Sequence, residues 1–232
     1  MGQKSNPIGL RLGINRSWDS NWFRQKDYAD VLIEDLRIRQ LIKGRIFYNK
    51  MYSRVEISDI IIKRFPGLVN IYISASRPGL LIGKRGGDIE ELKKFIKDKL
   101  KLESEIKINI NEVRKIDLDA NILAQMVGKM VEGRRSYKKA MKQAISRAIN
   151  AGAKGVKVRV AGRLGGSEMA RREQFREGSI PLHTFDAMVA YGHYDAKTLY
   201  GIIGVSVWVY TENKSKTVFK NETFEKLSAP RE

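Results

Sequence analysis

Two glycines three residues apart enclose a pair of cations at Gly83-Lys84-Arg85-Gly86. Glycine has no Cβ atom, so the chain can follow a tight, partly left-handed path there, and a sugar-phosphate strand can approach the backbone closely. Lys84 and Arg85 would supply cationic donors at the point of closest approach. The loop also begins a helix, whose unpaired N–H groups and positive dipole end favour an anion. These residues predict a clamp for a phosphodiester backbone, and an ordinary helix cap and turn is the competing interpretation.

A second group of cations follows the break at Gly133-Arg134-Arg135. Apolar residues recur with a helical period from Ser136, a candidate N-cap, to Ile149, so this segment predicts an amphipathic helix. At about 100 degrees per residue, the opposite face of that helix carries Arg135, Lys138, Lys139 and Lys142. No acidic residue lies among them, although like charges at i and i+4 repel by a few tenths of a kcal/mol. The stripe therefore favours a phosphate surface over an ordinary solvated face.

The composition indicates the same kind of partner. The 232 residues carry 44 Lys and Arg against 26 Asp and Glu, a formal net charge of +18. A charge of this sign and size favours a polyanion, which means nucleic acid or an anionic membrane surface. No stretch approaches the roughly 18 to 20 consecutive apolar residues of a transmembrane helix. We therefore expect a nucleic-acid partner and no membrane partner.

Residues that would support catalysis or metal binding are sparse. The sequence has no cysteine, and His183 and His193 are its only histidines, without the spacing of a metal site. Asp117 and Asp119 lie close together, but a carboxylate just before a helix more often caps it. A nuclease or lyase would need a metal-binding carboxylate cluster, a poised histidine or a nucleophilic lysine. We expect a protein that is not an enzyme, with no catalytic residue, no metal and no cofactor.

The residues around the glycine loop predict a small α+β domain. Pro66-Gly67 supplies a turn between two alternating strands. The predicted elements, in order, are a helix over 27–46 that ends near Gly44, strands over 55–58 and 69–74, a short turn over 80–82, a helix over 88–100 and a strand over 106–110. The glycine loop thus joins two helices after a pair of strands.

This order resembles the KH domain in its type II arrangement, in which a Gly-x-x-Gly loop clamps about four nucleotides of single-stranded RNA. The resemblance covers roughly residues 28–112. It implies helices on one face of a small mixed three-stranded sheet, and RNA-binding roles for Gly83, Lys84, Arg85 and Gly86. Whether the loop binds rRNA, mRNA or both in turn stays open.

The second half of the chain predicts another α+β unit. One helix runs from Ile122 to Met130, where Gly128 indicates close packing against a neighbour, and the helix with the cationic stripe follows. Next comes a strand in which three valines alternate with two cations: Val156, Lys157, Val158, Arg159 and Val160. One face of this strand should pack while the other presents cations. With strands over 180–194 and 200–210, the expected architecture is two helices packed on an antiparallel sheet.

Three further segments carry a more specific resemblance. The first is the N-terminal segment, with Gly2-Gln3-Lys4, Asn6-Pro7 and Gly9-x-Arg11-Leu12-Gly13. The second is the run Gly162-Arg163-Leu164-Gly165-Gly166, followed by Glu168-Met169-Ala170-Arg171. The third combines Pro181-Leu182-His183-Thr184 with Tyr200-Gly201-x-Ile203-Gly204-Val205-x-Val207-Trp208. Together they look like the third small-subunit ribosomal protein family, in its bacterial or organellar form. The resemblance extends from Met1 to about Tyr210.

This resemblance implies a structural RNA-binding protein in the head of the small ribosomal subunit. Members of the family bind small-subunit rRNA, line the channel through which mRNA enters together with small-subunit proteins four and five, and neighbour proteins ten and fourteen. Their basic residues after the Gly-Arg-Arg break face incoming mRNA and help to unwind it. The matching residues here are Arg134, Arg135, Lys138 and Lys139, and Lys142 extends the same stripe. No homo-oligomer is expected.

Seven further cations are the predicted rRNA contacts outside the loop and the helix: Lys4, Arg11, Lys157, Arg159, Arg163, Arg171 and Arg172. The predicted regions are a basic rRNA-binding extension over 1–16, the KH domain over 17–116, a C-terminal α+β domain over 117–210 and a polar, largely mobile tail over 211–232.

The N-terminus has neither the apolar core of a secretory signal nor a transit pattern. The expected location is the cytoplasm of a bacterium, although the N-terminus alone does not decide it. A mitochondrial matrix or plastid stroma stays open, because an organelle-encoded copy needs no transit peptide. The alternative function is that of a free KH regulator or a ribosome assembly factor. Such proteins usually carry a GTPase P-loop or an extra OB-type module, and neither pattern is visible in the sequence.

Overall fold

The structure, a computed structural model, describes residues 4–48, 55–83, 86–100 and 104–213. The helices are α1 Pro7–Leu10, α2 Tyr28–Tyr48, α3 Pro78–Ile82, α4 Gly87–Leu100, α5 Ala120–Glu132 and α6 Tyr137–Asn150. The strands are β1 Ser20–Asn21, β2 Ile57–Phe65, β3 Leu68–Ala75, β4 Glu105–Glu112, β5 Gly155–Gly162, β6 Arg171–Gly178, β7 Ala187–Thr198 and β8 Gly201–Asn213. Among the described residues, no helix combines the length and the apolarity needed to cross a bilayer.

The N-terminal sheet has the strand order β1-β2-β3-β4. β2 and β3 form an antiparallel hairpin around Pro66-Gly67, where Gly67 has a φ of 72°, and β3 pairs with β4 in parallel. Isoleucines of α2 and residues of α4 share one buried core with these strands: Ile38, Ile42, Ile46, Leu92 and Ile96. The mixed pairing of the three predicted strands is confirmed, and the two-residue β1 adds a parallel edge beside β2.

Two N-terminal elements are longer than the sequence predicts. α2 continues to Tyr48, about one turn past Gly44, because a glycine inside a helix weakens it without ending it. β2 continues to Phe65 instead of ending at Ser58, because its apolar run Ile60-Ile61-Ile62 keeps pairing with β3 up to the hairpin.

The C-terminal sheet is antiparallel throughout, in the order β6-β5-β8-β7. α5 and α6 pack on one of its faces. The core between these layers contains fully buried valines of β5 and β8 and buried alanines of α6: Val156, Val158, Val160, Val205, Val207, Val209, Ala140, Ala144 and Ala148. The predicted architecture of two helices on an antiparallel sheet is confirmed.

The strand β6 is missing from the sequence prediction. Its sequence, RREQFREG, contains one large apolar residue, Phe175, which packs against the core. An edge strand with a single core contact shows no readable alternation of apolar and polar residues.

The last strand, β8, runs to Asn213, three residues into the predicted tail. Residues 214–232 lie outside the described part of the chain.

Two glycines let α5 lie close to β7. A Cβ atom on Gly128 would lie 2.1 Å from the ring of Tyr194, and one on Gly192 would lie 2.2 Å from the carbonyl oxygen of Ala120. Any side chain at either position would therefore push the helix off the sheet. The close packing predicted at Gly128 is confirmed.

A short 3-10 turn, Ile116–Leu118, connects β4 to α5. Asp119 then caps α5, because its carboxylate accepts hydrogen bonds from the N–H groups of Asn121 (2.8 Å) and Ile122 (3.2 Å). The capping role predicted for Asp119 is confirmed, and the same carboxylate accepts a hydrogen bond from the hydroxyl of Ser58 in β2.

The helix α5 also joins the two domains directly. Gln125, only 6% exposed, accepts a hydrogen bond from the N–H of Ile57 (3.1 Å) and donates one to the carbonyl of the same residue (2.6 Å). One turn later, Lys129 donates to the carbonyl of Val55 (3.0 Å) and pairs with Glu56 (3.0 Å). These bonds fix β2 of the KH domain against the C-terminal domain.

Replacing Gln125 with Leu should lower the free energy of unfolding by about 1 to 3 kcal/mol, since the N–H and carbonyl of Ile57 would lose their buried partner. Gln143 is exposed on α6, so Gln143→Leu is the matched control and should stay within about 0.5 kcal/mol of the parent. Urea denaturation of the full chain measures both. Equal losses in the two variants would contradict this role of Gln125.

Candidate nucleic-acid interface

The glycine loop lies between α3 and α4, and both of its glycines are in the left-handed region of φ. Gly83 has a φ of 70° and Gly86 a φ of 78°. A Cβ atom on Gly83 would also lie 2.3 Å from the carboxylate of Asp88, so a larger residue there would displace that side chain. These glycines have the backbone freedom that a phosphate clamp requires. Lys84 and Arg85 lie outside the described residues, and their contacts stay predictions.

The face of the C-terminal sheet that points away from α5 and α6 is cationic. Because side chains alternate along β5 and its valines are buried, Lys157 and Arg159 lie on this outer face. Both lie over the ring of Trp208, at 5.2 and 5.4 Å from its centroid. The ring of Tyr191 packs beside Trp208 at 5.2 Å. Cations interleaved with aromatic rings are typical of surfaces that bind nucleic acid.

Cations crowd around Lys157 on this face. Burial lowers the pKa of Lys157 below the ordinary lysine value, and the charges of Lys4, Arg159, Arg176 and Arg172 lower it further. The strand register places Arg176 directly opposite Lys157, an arrangement of like charges that costs free energy unless an anion neutralises it. We call these five cations the outer sheet face.

The predicted cationic stripe is exposed on α6. Its members are Arg134 and Arg135, in the turn before the helix, and Lys138, Lys139 and Lys142 on the side opposite the buried alanines. The helix contains no acidic residue. Within the described ranges, none of the ion pairs involves these cations. We call these five residues the α6 stripe.

A strained turn positions the first two cations of the stripe. Arg134 has a φ of 59°, which is uncommon for a residue with a side chain. Its N–H donates to the carbonyl of Val131 at 3.0 Å, and the N–H of Arg135 donates to the carbonyl of Met130 at 3.0 Å. These bonds end α5, so both arginines stand at the start of α6. The N-cap position predicted for Ser136 is confirmed, although its side chain makes no capping bond.

The structure divides the predicted rRNA contacts into separate groups. Four of them belong to the outer sheet face: Lys4, Lys157, Arg159 and Arg172. Arg171 lies instead near the start of α6, where it donates to the hydroxyl of Tyr137 at 3.3 Å. Arg163 lines a cavity together with Arg134 and Arg135. The sequence reasoning therefore grouped side chains that lie on different surfaces.

The structure places Arg11, a predicted rRNA contact, in the interior of the protein. It is only 3% exposed. Its guanidinium group donates five hydrogen bonds of 2.8 to 3.2 Å to backbone carbonyls, those of Pro7, Pro181, Leu182, Thr184 and Ala187. Each of its three guanidinium nitrogens donates to the protein backbone, so the buried Arg11 fastens the N-terminal segment to the loop before β7.

The outer sheet face and the α6 stripe lie on opposite sides of the C-terminal domain. α6 packs its alanines onto the inner face of the sheet, so its exposed lysines point away from the sheet. Lys157 and Arg159 point away from the same core in the other direction. The domain therefore presents cations on two separate surfaces.

Two residues on this side of the sheet, Arg176 and Trp208, were not among the RNA contacts predicted from the sequence. Arg176 lies on the unpredicted strand β6, and only its register with β5 places it opposite Lys157. Trp208 alternates with the buried Val207 and Val209, which already places it on the outer face. The pairing of β5 with β8 is needed to show that the ring lies under two cations.

The described residues contain no group of three or more His, Asp or Glu side chains that could hold a metal ion. Both ring nitrogens of His193 have neighbours, Nδ1 at 3.2 Å from the hydroxyl of Ser206 and Nε2 at 3.0 Å from Asp195. These contacts orient the imidazole ring of His193 within the protein.

A Gly-x-x-Gly loop between two helices of a small mixed sheet, joined to a domain with cations on both outer surfaces, defines a KH-type RNA-binding protein. Residues 37–118 match the model of the KH domain family. Residues 127–209 match the family described as ribosomal protein S3, C-terminal domain.

Curated relatives extend this match to most of the chain. A small ribosomal subunit protein uS3 from Thermodesulfovibrio yellowstonii is 48% identical over 210 residues, which is 90% of this chain and 94% of that protein. The uS3 protein of Halalkalibacterium halodurans is 44% identical over 222 residues, 96% of this chain and 98% of its own length. That of Shouchella clausii is 46% identical over 211 residues, 90% and 92% of the two chains. The chain belongs to the small ribosomal subunit protein uS3 family.

Replacing Arg11 with Lys should lower the free energy of unfolding by about 2 to 3 kcal/mol, because one ammonium group cannot satisfy five carbonyls. The charge is kept, so the salt dependence of RNA binding should not change. Arg172, exposed on β6, provides the control Arg172→Lys, which should leave stability within about 0.5 kcal/mol. Chemical denaturation and RNA titration separate the two roles. A stable Arg11→Lys variant with weakened RNA binding would restore Arg11 as an RNA contact.

The lowered pKa of Lys157 predicts a pH effect on RNA binding. A bound phosphate favours the charged lysine and raises its pKa again, so binding takes up a proton between the free and the bound pKa. Affinity should therefore fall as the pH rises through that window, at a lower pH than for an ordinary lysine. Lys157→Arg stays protonated and should remove this part of the fall.

A 2′-O-methyl oligomer of adenine and cytosine suits this measurement, since its backbone resists alkaline cleavage and its bases have no acidic ring N–H. Fluorescence anisotropy would follow binding between neutral and alkaline pH. Identical pH profiles for the parent and Lys157→Arg would show that Lys157 contacts no phosphate.

Proposed function

We propose that the chain is a structural RNA-binding protein of the small ribosomal subunit head, with different surfaces for two RNAs. The outer sheet face binds small-subunit rRNA, and the α6 stripe contacts mRNA as it enters the ribosome. The action is neutralisation of phosphate charge and positioning of RNA, without a catalytic step. Family membership supports the ribosomal setting, and the arrangement of cations supports the division of roles.

The proposed division between an rRNA surface and an mRNA surface rests on the position of the α6 stripe. Its cations are exposed and free of acidic neighbours on their own helix. They lie on the opposite side of the domain from the outer sheet face, so a chain fixed to rRNA through Lys157 and Arg159 still presents the stripe. A phosphodiester strand that passes over the stripe would be held without base recognition, which suits an mRNA of any sequence.

The stripe also suits the unwinding of mRNA structure. Cations that bind a single strand stabilise the unpaired form relative to the duplex that it would otherwise form, because binding to one state shifts the equilibrium towards it. We place small-subunit proteins four and five beside this stripe, as the rest of the channel through which mRNA enters.

The glycine loop provides a further RNA contact. Gly83 and Gly86 allow close approach of a backbone, and Lys84 and Arg85 would supply its cations.

The KH domain presents a surface that suits a protein neighbour. Large apolar side chains are exposed on and around the first half of α2: Phe23, Tyr28, Leu32, Ile33, Leu36 and Phe65. Exposed large apolar side chains in such number on one part of a domain are typical of protein interfaces. We assign it to small-subunit proteins ten and fourteen. Since the most similar relatives reported above are bacterial, we place the complex in the bacterial cytoplasm.

Changing Arg135, Lys138 and Lys139 together to Ala should weaken binding of single-stranded RNA and reduce its salt dependence. Each lost phosphate contact lowers the slope of log K against log salt by about 0.7 for a single strand, so three should lower it by about 2. The measurement is anisotropy of the full chain with a labelled oligomer from 50 to 200 mM salt.

The matched control changes Lys94, Lys97 and Lys99, all exposed on α4, to Ala and removes the same charge. Small subunits reconstituted with each variant then translate a message with a stable hairpin. The stripe variant should pause at the hairpin more than the control. Equal slopes and equal pausing would contradict the role of the stripe, and a chain that sediments apart from small subunits in the cell would favour a free RNA regulator.

A further inference from the structure

A cavity of about 500 Å³ opens beside the first residues of the α6 stripe. Its floor is apolar and buried, made by Val131, Leu164 and Ile203, which are 8%, 1% and 3% exposed. Its walls contain the rings of Tyr137 and Tyr200. The volume falls within the range of about 300 to 1,000 Å³ that is usual for sites of small organic ligands.

Three arginines line the same cavity: Arg134, Arg135 and Arg163. No acidic residue is among its lining residues, so the cavity combines an apolar floor with a cationic rim. A neutral or cationic ligand would leave this charge uncompensated, whereas a nucleotide has a flat apolar ring for the interior and a phosphate for the rim.

We propose that this cavity is a subsite for a single unstacked nucleobase of single-stranded RNA, whose flanking phosphates are held by Arg134 and Arg135. The proposal rests on the mRNA role of the α6 stripe and adds to it a place where one base leaves the strand. It makes the start of α6 a site that recognises unpaired nucleotides, in addition to a charged surface.

The aromatic part of the site is held in place before any ligand binds. The guanidinium carbon of Arg163 lies 5.6 Å from the centroid of the Tyr200 ring. Arg163 is fixed by hydrogen bonds from its Nε to the carbonyl of Ser167 (2.9 Å) and from one terminal nitrogen to the carbonyl of Tyr200 (3.3 Å). Arginine planes and tyrosine rings are the two kinds of platform on which proteins stack unpaired RNA bases.

Gly166, in the glycine-rich segment beside the cavity, leaves room for the ring of Tyr200. A Cβ atom on Gly166 would lie 3.0 Å from the Tyr200 ring, and Gly166 has a φ of 82°. Tyr200 nevertheless remains 57% exposed. A tyrosine packed tightly at one edge and open elsewhere is suited to stacking.

The second ring of the wall is also oriented. The hydroxyl of Tyr137 donates to the carboxylate of Glu173 at 2.9 Å and accepts from Arg171 at 3.3 Å. These bonds hold Tyr137 at the start of α6, directly before Lys138. A base in the cavity would therefore lie one or two nucleotides from the phosphates that the lysines of the stripe contact.

The test uses the full chain and a labelled single-stranded RNA of twelve nucleotides in which each position in turn is made abasic. If one base enters the cavity, removing that base should weaken binding about tenfold, the effect of losing one stacked base, while abasic sites elsewhere have little effect. Short oligomers that allow only one binding register give the sharpest pattern. The salt slope should not change, because the phosphates remain.

Two variants locate the effect at the cavity. Tyr200→Leu should bind the intact oligomer about tenfold more weakly and lose the sensitivity to the abasic position, whereas Tyr200→Phe keeps the ring and should behave as the parent. Thermal melting of both variants checks folding, and the exposed position of Tyr200 makes large losses of stability unexpected.

The outcomes separate this proposal from the one it rests on. Uniform binding of all abasic oligomers, with a reduced salt slope in Arg135, Lys138 and Lys139 variants, would overturn the base subsite and leave the mRNA role of the stripe intact. An unchanged salt slope in those variants would overturn both. Equal abasic sensitivity in the parent and Tyr200→Leu would place the recognised base at another site.

Discussion

The alternation of side chains along β5 and β8 is the constraint on which the RNA-binding surfaces depend. Six valines of these strands are buried together under α5 and α6, because they form the side of the C-terminal core that the sheet contributes. A strand cannot bury one set of side chains without directing the other set outward. Lys157, Arg159 and Trp208 are consequently forced onto one surface, and the stripe of α6 onto the opposite one.

The helix α5 extends this constraint to the rest of the molecule. One of its faces packs on β7 through Gly128, and its polar residues bind the backbone of β2 through Gln125 and Lys129. The N-terminal segment is fixed to the same domain by the buried guanidinium of Arg11. The glycine loop, the outer sheet face and the α6 stripe therefore belong to elements that are tied together by buried hydrogen bonds, and a change in one contact surface would not leave the others to move independently.

Much of the fold follows from periodicity in the sequence, because helices and strands with one buried face repeat their apolar residues at 3.6 or 2 residues. That is how the helices, the valine strands and the stripe on α6 could be predicted. β6 could not, since its only large apolar contact is Phe175. The role of Arg11 was missed for a different reason, because a charge alone does not show whether its donors meet phosphates or carbonyls. Apart from that of Pro7, the carbonyls that bind Arg11 lie 170 or more residues away along the chain. The grouping of Arg172 and Arg176 around Lys157 likewise needs the strand register.

The central claim is that opposite sides of the C-terminal domain bind different RNAs. The most direct test is photocrosslinking of intact ribosomes that carry an mRNA with photoreactive nucleotides upstream and downstream of the decoding site. One sample is irradiated at the wavelength that activates those nucleotides and a second at the shorter wavelength that crosslinks unmodified rRNA, and mass spectrometry identifies the crosslinked peptides. The account predicts mRNA crosslinks to peptides from Arg134 to Lys142 and rRNA crosslinks to peptides from β5 and β6. Crosslinks of mRNA to β5 and β6, or of the α6 stripe to rRNA alone, would contradict it.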